Sequence, residues 1–574
     1  MFLSDLKREF YDVLLGKRVL ILVNFDVDAI CACRILQYLL LCDTVSYSIV
    51  PVQNKEELVS AYKENCEQAN HVILINCGGT FDLVETLEPS EEKIFFVADS
   101  HRPYDVCNIF NDGQICLLGK PAEQEGIPSY DDIFGNDEDS DNSDPDNEDD
   151  GEDDDGDEVI ESRSKRQKLD PAEMVLRRRE KRLWHEKRKE ILFNYMQFSY
   201  YSSATALLMF ELAWKLSRDS TDLLWWAIVG VAEQQLLGKI ETKTYVMDSG
   251  KLQSHMIRLA HLSQQGDSAT TKDALYISHE KDLNLSLYRH WSLLESIKYS
   301  PLTACHFQLW TLKGEKRLNE FLADLGLPLM QCRQKYSSMD IEFRNELRAI
   351  FEKKVEKYDL DDLLEYCFNS QYGFRGKNTA SDFVCCLIAL LDTVEKDKDP
   401  HDAFHDALEC LSKSKVDSLT KAVQQAKLQH IAIGKEVHTC LDMNHVINAG
   451  PCLYSVIQDN APDARFYGYP HSLLLFGRFL LKAHISRARG RGLRARELPL
   501  IVSAPSARRP SHCLLLGLPP VALDSSKNLM GKAFEQAAEN TQTEITSVFF
   551  DSSVIEINCS DRTRLLDSLF SLLE

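Results

Sequence analysis

Three short polar stretches interrupt apolar runs near the N-terminus: Asn24-Phe25-Asp26-Val27-Asp28, Asn76-Cys77-Gly78-Gly79 and Asp99-Ser100-His101. Carboxylates with an imidazole are what a pair of hard divalent ions would need, because two cations ~3.5 to 4 Å apart must be neutralised by anionic, often shared, oxygens. Asp26, Asp28 and Asp99 supply three carboxylates and His101 one imidazole; Asn24 and Asn76 can lend an amide oxygen but no charge. That set is under-charged for two divalent ions. The plainer reading is that the acids cap strand-to-helix turns by accepting backbone N–H bonds.

Bringing the three stretches to one rim requires a particular scaffold, and the flanking residues predict it. Val19–Val23 is a continuous apolar run, Ala29–Leu41 a helix pattern, Val45–Val52 a β-branched strand and Lys55–Cys66 a helix. His71–Ile75 and Lys93–Ala98 read as further strands with a short helix over 81–87 between them, and two short runs, Val106–Phe110 and Ile115–Leu118, could extend the sheet. Apolar strands alternating with helices predict a parallel sheet covered on both faces. Ligands of such sheets bind beyond the carboxyl ends of the strands, where all three polar stretches fall.

At 574 residues the chain exceeds the size of one hydrophobic core, so several domains are expected. The N-terminus lacks a signal-peptide pattern, and the greasiest later run, SLLLFGRFLL, is broken by Arg478, so neither export nor a membrane span is expected. Seventeen cysteines without CxxC pairs read as reduced thiols, with Cys31 and Cys33 as helix packing. The net charge of -24 is concentrated: residues 137–158 hold 15 Asp or Glu and no Lys or Arg. Residues 163–189 then hold 12 Lys or Arg against 4 acids, which predicts an exposed basic helix whose start, SRSKRQKL, has the form of a nuclear import signal.

From 202 to about 396 the pattern is helical, with segments such as RLNEFLADLGL and DLLEYCF, and Trp225 and Trp226 reading as core aromatics. Strand runs return at Cys452–Ile457, Leu498–Ser503 and Cys513–Leu518. The expected division is 1–135, an α/β domain; 136–162, an acidic disordered loop; 163–234, the basic helix and remaining helices of the first domain; 235–395, an all-helical inserted domain; 396–440, connecting helices; and 441–574, a smaller C-terminal α/β domain.

The order of motifs resembles the DHH phosphoesterase superfamily, particularly its RecJ-type single-strand nucleases, with D-x-D-x-D-G, D-x-G, D-H-H and V-A-D motifs. Here Asp26, Asp28, Asp99 and His101 match, Asn24, Asn76, Ser100 and Ala29 depart, and Val231-Ala232-Glu233 carries a conservative change. The glycine-rich motif of the family's C-terminal (DHHA1) domain survives only as a fragment, GKAFEQAAE from Gly531. The losses repeatedly remove charge from one site, so an inactive relative without metal or cofactor is expected; a metal-dependent single-strand DNA phosphodiesterase with a reduced site is the alternative. The strings FDVDAICACRILQ, LINCGG, FVADSHRP, LMFELAW, LLWWAIVG, YRHWSL and RLNEFLADLGLPL resemble the eukaryotic replication branch of that superfamily over nearly the full length.

That resemblance implies a nuclear, non-catalytic scaffold that joins the MCM helicase ring and the GINS complex in the replicative CMG helicase, at origin firing and at the fork. It places the main interface in residues 235–395, with Tyr288, Trp291 and Trp310 as candidates against a packing role. It also implies contact with single-stranded DNA, for which Arg487, Arg489, Arg491, Arg494 and Arg496 could supply phosphate contacts.

Overall fold

A computed structural model describes residues 1–119, 126–135, 171–265, 275–373, 376–392, 398–413, 415–458, 461, 463–487, 496–521 and 526–573. The chain divides into two units, Met1–Lys120 with Phe198–Glu574, and Pro121–Gln197. The first opens with the expected parallel sheet. Its strands are β1 (Arg18–Asn24), β2 (Ser46–Val52), β3 (His71–Ile75), β4 (Ile94–Ala98) and, after a two-residue β5 (His101–Arg102), β6 (Ile115–Leu117), in the order β2-β1-β3-β4-β6. The sheet forms because β1, β3 and β4 are apolar almost throughout and buried on both faces. Val106–Phe110 is a helix rather than a strand: Asp105 accepts from the Cys107 amide at 2.8 Å and caps it.

Three helices cover the face that carries the site: Val27–Cys42, Thr205–Lys215 and Thr221–Leu237. Cys31 and Cys33 are buried within the first, and Trp225 and Trp226 within the third, where the Trp226 indole donates to the Leu411 carbonyl at 3.1 Å. Gly230 is the point of closest approach, since a Cβ there would stand 2.6 Å from the Ala206 Cβ and 2.9 Å from Asp28 Oδ1. A strand β7 (Tyr200–Tyr201) pairs antiparallel with β5.

The stretch from 202 to 396 is mostly helical but not all-helical. β8 (Leu275–Leu283), β9 (Leu364–Tyr372) and β10 (Asn378–Thr379) form an antiparallel sheet in the order β10-β9-β8. The run DLLEYCF, read as helix from its spacing, enters β9 at Leu364, where a nine-residue ladder with β8 outweighs the helix-compatible pattern. The C-terminal sheet comprises β11 (Ile447–Asn448), β12 (Leu453–Val456), β13 (Leu500–Pro505), β14 (His512–Leu518), β15 (Thr546–Val548) and β16 (Asp551–Asn558), in the order β11-β12-β13-β14-β16-β15. Only the β12–β13 pair is parallel among these described pairs.

In the second unit a helix runs from Pro171 to Met196, covering much of the basic segment, and Lys187 pairs with Asp132 at 2.8 Å. The acidic loop and the SRSKRQKL string lie outside the described residues. Among the described residues no helix is long and apolar enough to cross a membrane.

Candidate functional site

The ends of β1, β3 and β4 bring the three polar stretches together, and every one of their predicted site residues is buried. Asp26 caps the helix Val27–Cys42, accepting from the Ala29 amide at 2.5 Å. Two residues on, Asp28 accepts from the Thr205 and Ala206 amides at 2.8 Å each, so it also anchors the start of the helix Thr205–Lys215. Burial, reinforced by the neighbouring charge of Asp26, pushes the Asp28 carboxyl up to about 7 despite those N–H bonds.

Asn76 stands between them in the left-handed region, at φ 53°, a conformation that asparagine tolerates well. Its amide nitrogen donates to Asp26 at 3.2 and 3.3 Å and to Asp28 at 3.0 Å. Its oxygen accepts from the Ser100 amide at 3.1 Å and the Thr205 hydroxyl at 2.5 Å, which fixes the orientation of the amide. Asn24 similarly donates to Asp26 at 2.8 Å.

Asp99 is held from two sides. One oxygen accepts from the Gly78 and Gly79 amides at 3.2 and 2.8 Å; the other accepts from the His101 amide at 2.9 Å and lies 2.7 Å from His101 Nδ1. Gly79 is required here, because a Cβ would meet the Tyr104 ring at 2.5 Å. Burial alone would raise the Asp99 carboxyl, but the His101 imidazole and the N–H donors outweigh it and hold the carboxyl below its usual range. Against the same burial, Asp99 lifts His101 above its ordinary value.

Sequence reasoning placed Glu233 at the site through its motif but missed the components that meet it. Glu233 lies on the helix Thr221–Leu237, which ends at Gly238 with φ 61°; that turn sends Lys239 back along the helix until its Nζ stands 2.7 Å from Glu233 Oε1. Glu233 is 0% and Lys239 10% exposed, and Glu233 Oε2 has no hydrogen-bond partner. Burial raises the Glu233 carboxyl, opposed by Lys239; burial acts to lower Lys239, but Glu233 and Asp26 raise it. Lys239 also lies over the Tyr201 ring at 4.9 Å, and the Tyr201 hydroxyl donates to Asp551 at 2.8 Å.

The site is roofed by the tip of the β15–β16 hairpin. Val548 and Asp551 pair across a two-residue turn whose central residues, Phe549 and Phe550, both have φ 57°. Such turns usually carry Asn or Gly, so two phenylalanines here are held by what they touch. The Phe549 carbonyl accepts from Asn24 at 2.9 Å, its amide donates to the Gln53 carbonyl at 2.7 Å, and its ring stacks on Phe25 at 5.9 Å. Phe550 stacks on Phe81 at 6.2 Å. Beneath this roof lies a cavity of about 20 Å³ lined by Asp26, His101, Tyr201, Lys239, His471 and Asp551 among others, space for about one water molecule, and Tyr201, Lys239 and Asp551 also line a second cavity of about 240 Å³.

Two divalent ions do not fit this donor set. Asn76 turns N–H groups, not lone pairs, toward Asp26 and Asp28, Asp99 is committed to His101 and two glycine amides, and Glu233 already faces an ammonium. Among the described residues no group of three or more His, Cys, Asp or Glu side chains is placed to hold a metal ion. Of the arginine run, Arg489, Arg491 and Arg494 lie outside the described residues and Arg496 is exposed; Arg487 donates to the Leu441 carbonyl. Tyr288 is buried and donates to Asp282 at 2.7 Å, and Trp291 stacks on Tyr299 at 5.5 Å; Trp310 is half-buried and lines a cavity with Leu309 and Tyr467.

A five-stranded parallel sheet with buried acids at its strand ends, followed along the chain by a six-stranded mixed sheet, defines an α/β protein. The CDC45 family pattern matches residues 19–571. The chain is 43% identical over 585 residues to the human cell division control protein 45 homolog and 43% identical over 578 residues to the mouse one, with 100% of both chains covered in each case. The crystal structure of CDC45 from Entamoeba histolytica superposes with a TM-score of 0.69 at 21% identity, covering 100% of each chain, which speaks to the fold. The chain belongs to the CDC45 family and so has a role in DNA replication.

Proposed function

We propose that this chain is a non-catalytic scaffold of the replicative helicase, working in the nucleus to hold the MCM ring and GINS together. The observation that carries the non-catalytic part is the use of the site's acids. Asp26 and Asp28 accept from Asn76, Glu233 pairs with Lys239, and the cavity beside Asp26 and His101, where two ions would have to sit, holds about 20 Å³. Family membership supports the replication part. On this reading residues 235–395 form an inserted domain that carries the main partner interface, and the segment around Arg496 contacts single-stranded DNA.

The test has two arms. Purified protein incubated with end-labelled single-stranded DNA and Mn²⁺ or Mg²⁺ is expected to leave it intact, and the protein is expected to co-purify with MCM and GINS. Cleavage abolished by Asp26→Ala/Asp99→Ala would restore the nuclease alternative. Failure to bind MCM and GINS would remove the scaffold reading.

A further inference from the structure

We propose that the Lys239 ammonium is a tethered cation that takes over the charge-neutralising role of the fold family's divalent ions and holds the two α/β domains closed. The inference rests on the reading of the site as non-catalytic and deepens it.

A metal at such a site does two things: it neutralises carboxylates brought in on separate elements, and by binding them all it fixes those elements together. Lys239 is placed for both. Its Nζ is 2.7 Å from Glu233 on the helix Thr221–Leu237, and it lines the same small cavity as Asp26 at the end of β1 and Asp551 at the start of β16. Asp551 is tied into the cluster through Tyr201, whose hydroxyl it accepts and whose ring lies under the ammonium. Glu233 is thus the acid in direct contact with the ammonium, while Asp26 from the first sheet and Asp551 from the C-terminal sheet line the same cavity and act on it by charge. Backbone and side-chain hydrogen bonds tie the same elements on either side, with Asn24 donating to the Phe549 carbonyl and the Ser199 and Asn528 amides each donating to the other's carbonyl at 2.9 and 2.7 Å. Lys239 is also the residue a free ion could replace, because its stem comes from the turn after Gly238 and removing it leaves the carboxylates in place.

The experiment is cation rescue of the full-length Lys239→Ala protein, read as thermal midpoint and as protease cutting at the β15–β16 hairpin. Lys239→Ala is expected to lower the midpoint and speed cutting. Ethylammonium is expected to restore at least half of the loss, whereas tetramethylammonium, equally charged but without an N–H to donate to Glu233, restores none. Lys239→Met, which keeps the apolar stem and the filled volume, is expected to be destabilised and not rescued. If Lys239→Ala yields no folded protein, Glu233→Gln/Lys239→Met decides: recovery over Lys239→Met supports the cation role, and no recovery overturns it. Wild-type stability in Lys239→Ala, or equal response to the two ammonium ions, would also overturn it. Stoichiometric Mn²⁺ on the wild type would instead sink the non-catalytic reading beneath it, so the two failures are told apart.

Discussion

Restoring the motif aspartate at position 76 is expected to harm this protein rather than revive it. In Asn76→Asp the backbone is not at issue, because aspartate also tolerates the left-handed conformation. Nor is the acceptor side, since one carboxylate oxygen can still receive the Ser100 amide and the Thr205 hydroxyl. The other oxygen, however, replaces an N–H group that donates to Asp26 and Asp28 at 3.0 to 3.3 Å. Two unit charges about 4 Å apart at an effective dielectric of about 20 repel by ~4 kcal/mol, and there are two such pairs. The cluster escapes by binding a proton, so the cost is capped at holding one extra proton. From a carboxyl near 3.9 to pH 7.5 that is about 5 kcal/mol, and at pH 5 only about 1.5 kcal/mol. Urea denaturation of Asn76→Asp against wild type at pH 5, 6 and 7.5 therefore shows a gap that widens by roughly 1.4 kcal/mol per pH unit. Asn76→Ala removes donors that favour ionised Asp28 without adding charge, so its gap also widens with pH but less steeply than that of Asn76→Asp. A pH-independent gap in Asn76→Asp, or none at all, would refute the claim that this amide holds the two acids together.

Two further outcomes follow from the same geometry. Phe549→Ala removes a ring that is 4% exposed and packed on Phe25 and His471, at a cost of about 3 to 5 kcal/mol; hydrogen exchange is expected to speed up both at 546–551 and at the amides after β1, and acceleration confined to the hairpin would contradict the roof contact. The pH profile should carry two opposed contributions. Asp28, raised to about 7, is bound to its proton more tightly folded than unfolded, so its contribution is full below about 4 and is lost as pH rises toward 7. Asp99, held below its usual range, contributes above that range and is lost as pH falls through its folded value. Thermal midpoints of Asp28→Asn and Asp99→Asn across pH 3 to 8 are expected to lose the declining and the rising limb respectively.

The parallel sheet was legible because β1, β3 and β4 are apolar nearly end to end, and the buried rim because Asp26, Asp28, Asn76, Asp99 and His101 sit where those strands stop. The β8–β9 ladder was not, since Leu364 and Tyr366 also satisfy a helix pattern and only the partner strand decides. Nor were the other halves of the site. Thr205 reaches Asn76 across 129 residues and Phe549 reaches Asn24 across 525, separations over which a single sequence carries no pairing signal. Lys239 is only six residues from Glu233, but their contact depends on the left-handed turn at Gly238, which reverses a spacing that a continuous helix would have pointed apart.

On the proposed reading, the departures from the DHH motifs and the arrival of a lysine are halves of one change. Two divalent ions bring four positive charges and an ammonium brings one, so an unaltered acid set would hold three more uncompensated negatives in a buried space than it does with the ions, a load no fold of ordinary stability carries. Asparagine at 24 and at 76, in place of the motif's aspartates, removes two of them. The third is offset in part by Asp28, whose carboxyl is raised to about 7 and so carries a proton part of the time near neutral pH. The two amides also supply N–H donors to the acids that remain, turning ligands that once needed a metal into hydrogen-bonded supports. Strand ends, caps and helix starts can then persist unchanged, because Asp26 still caps Val27–Cys42 and Asp28 still anchors Thr205–Lys215 without any ion present.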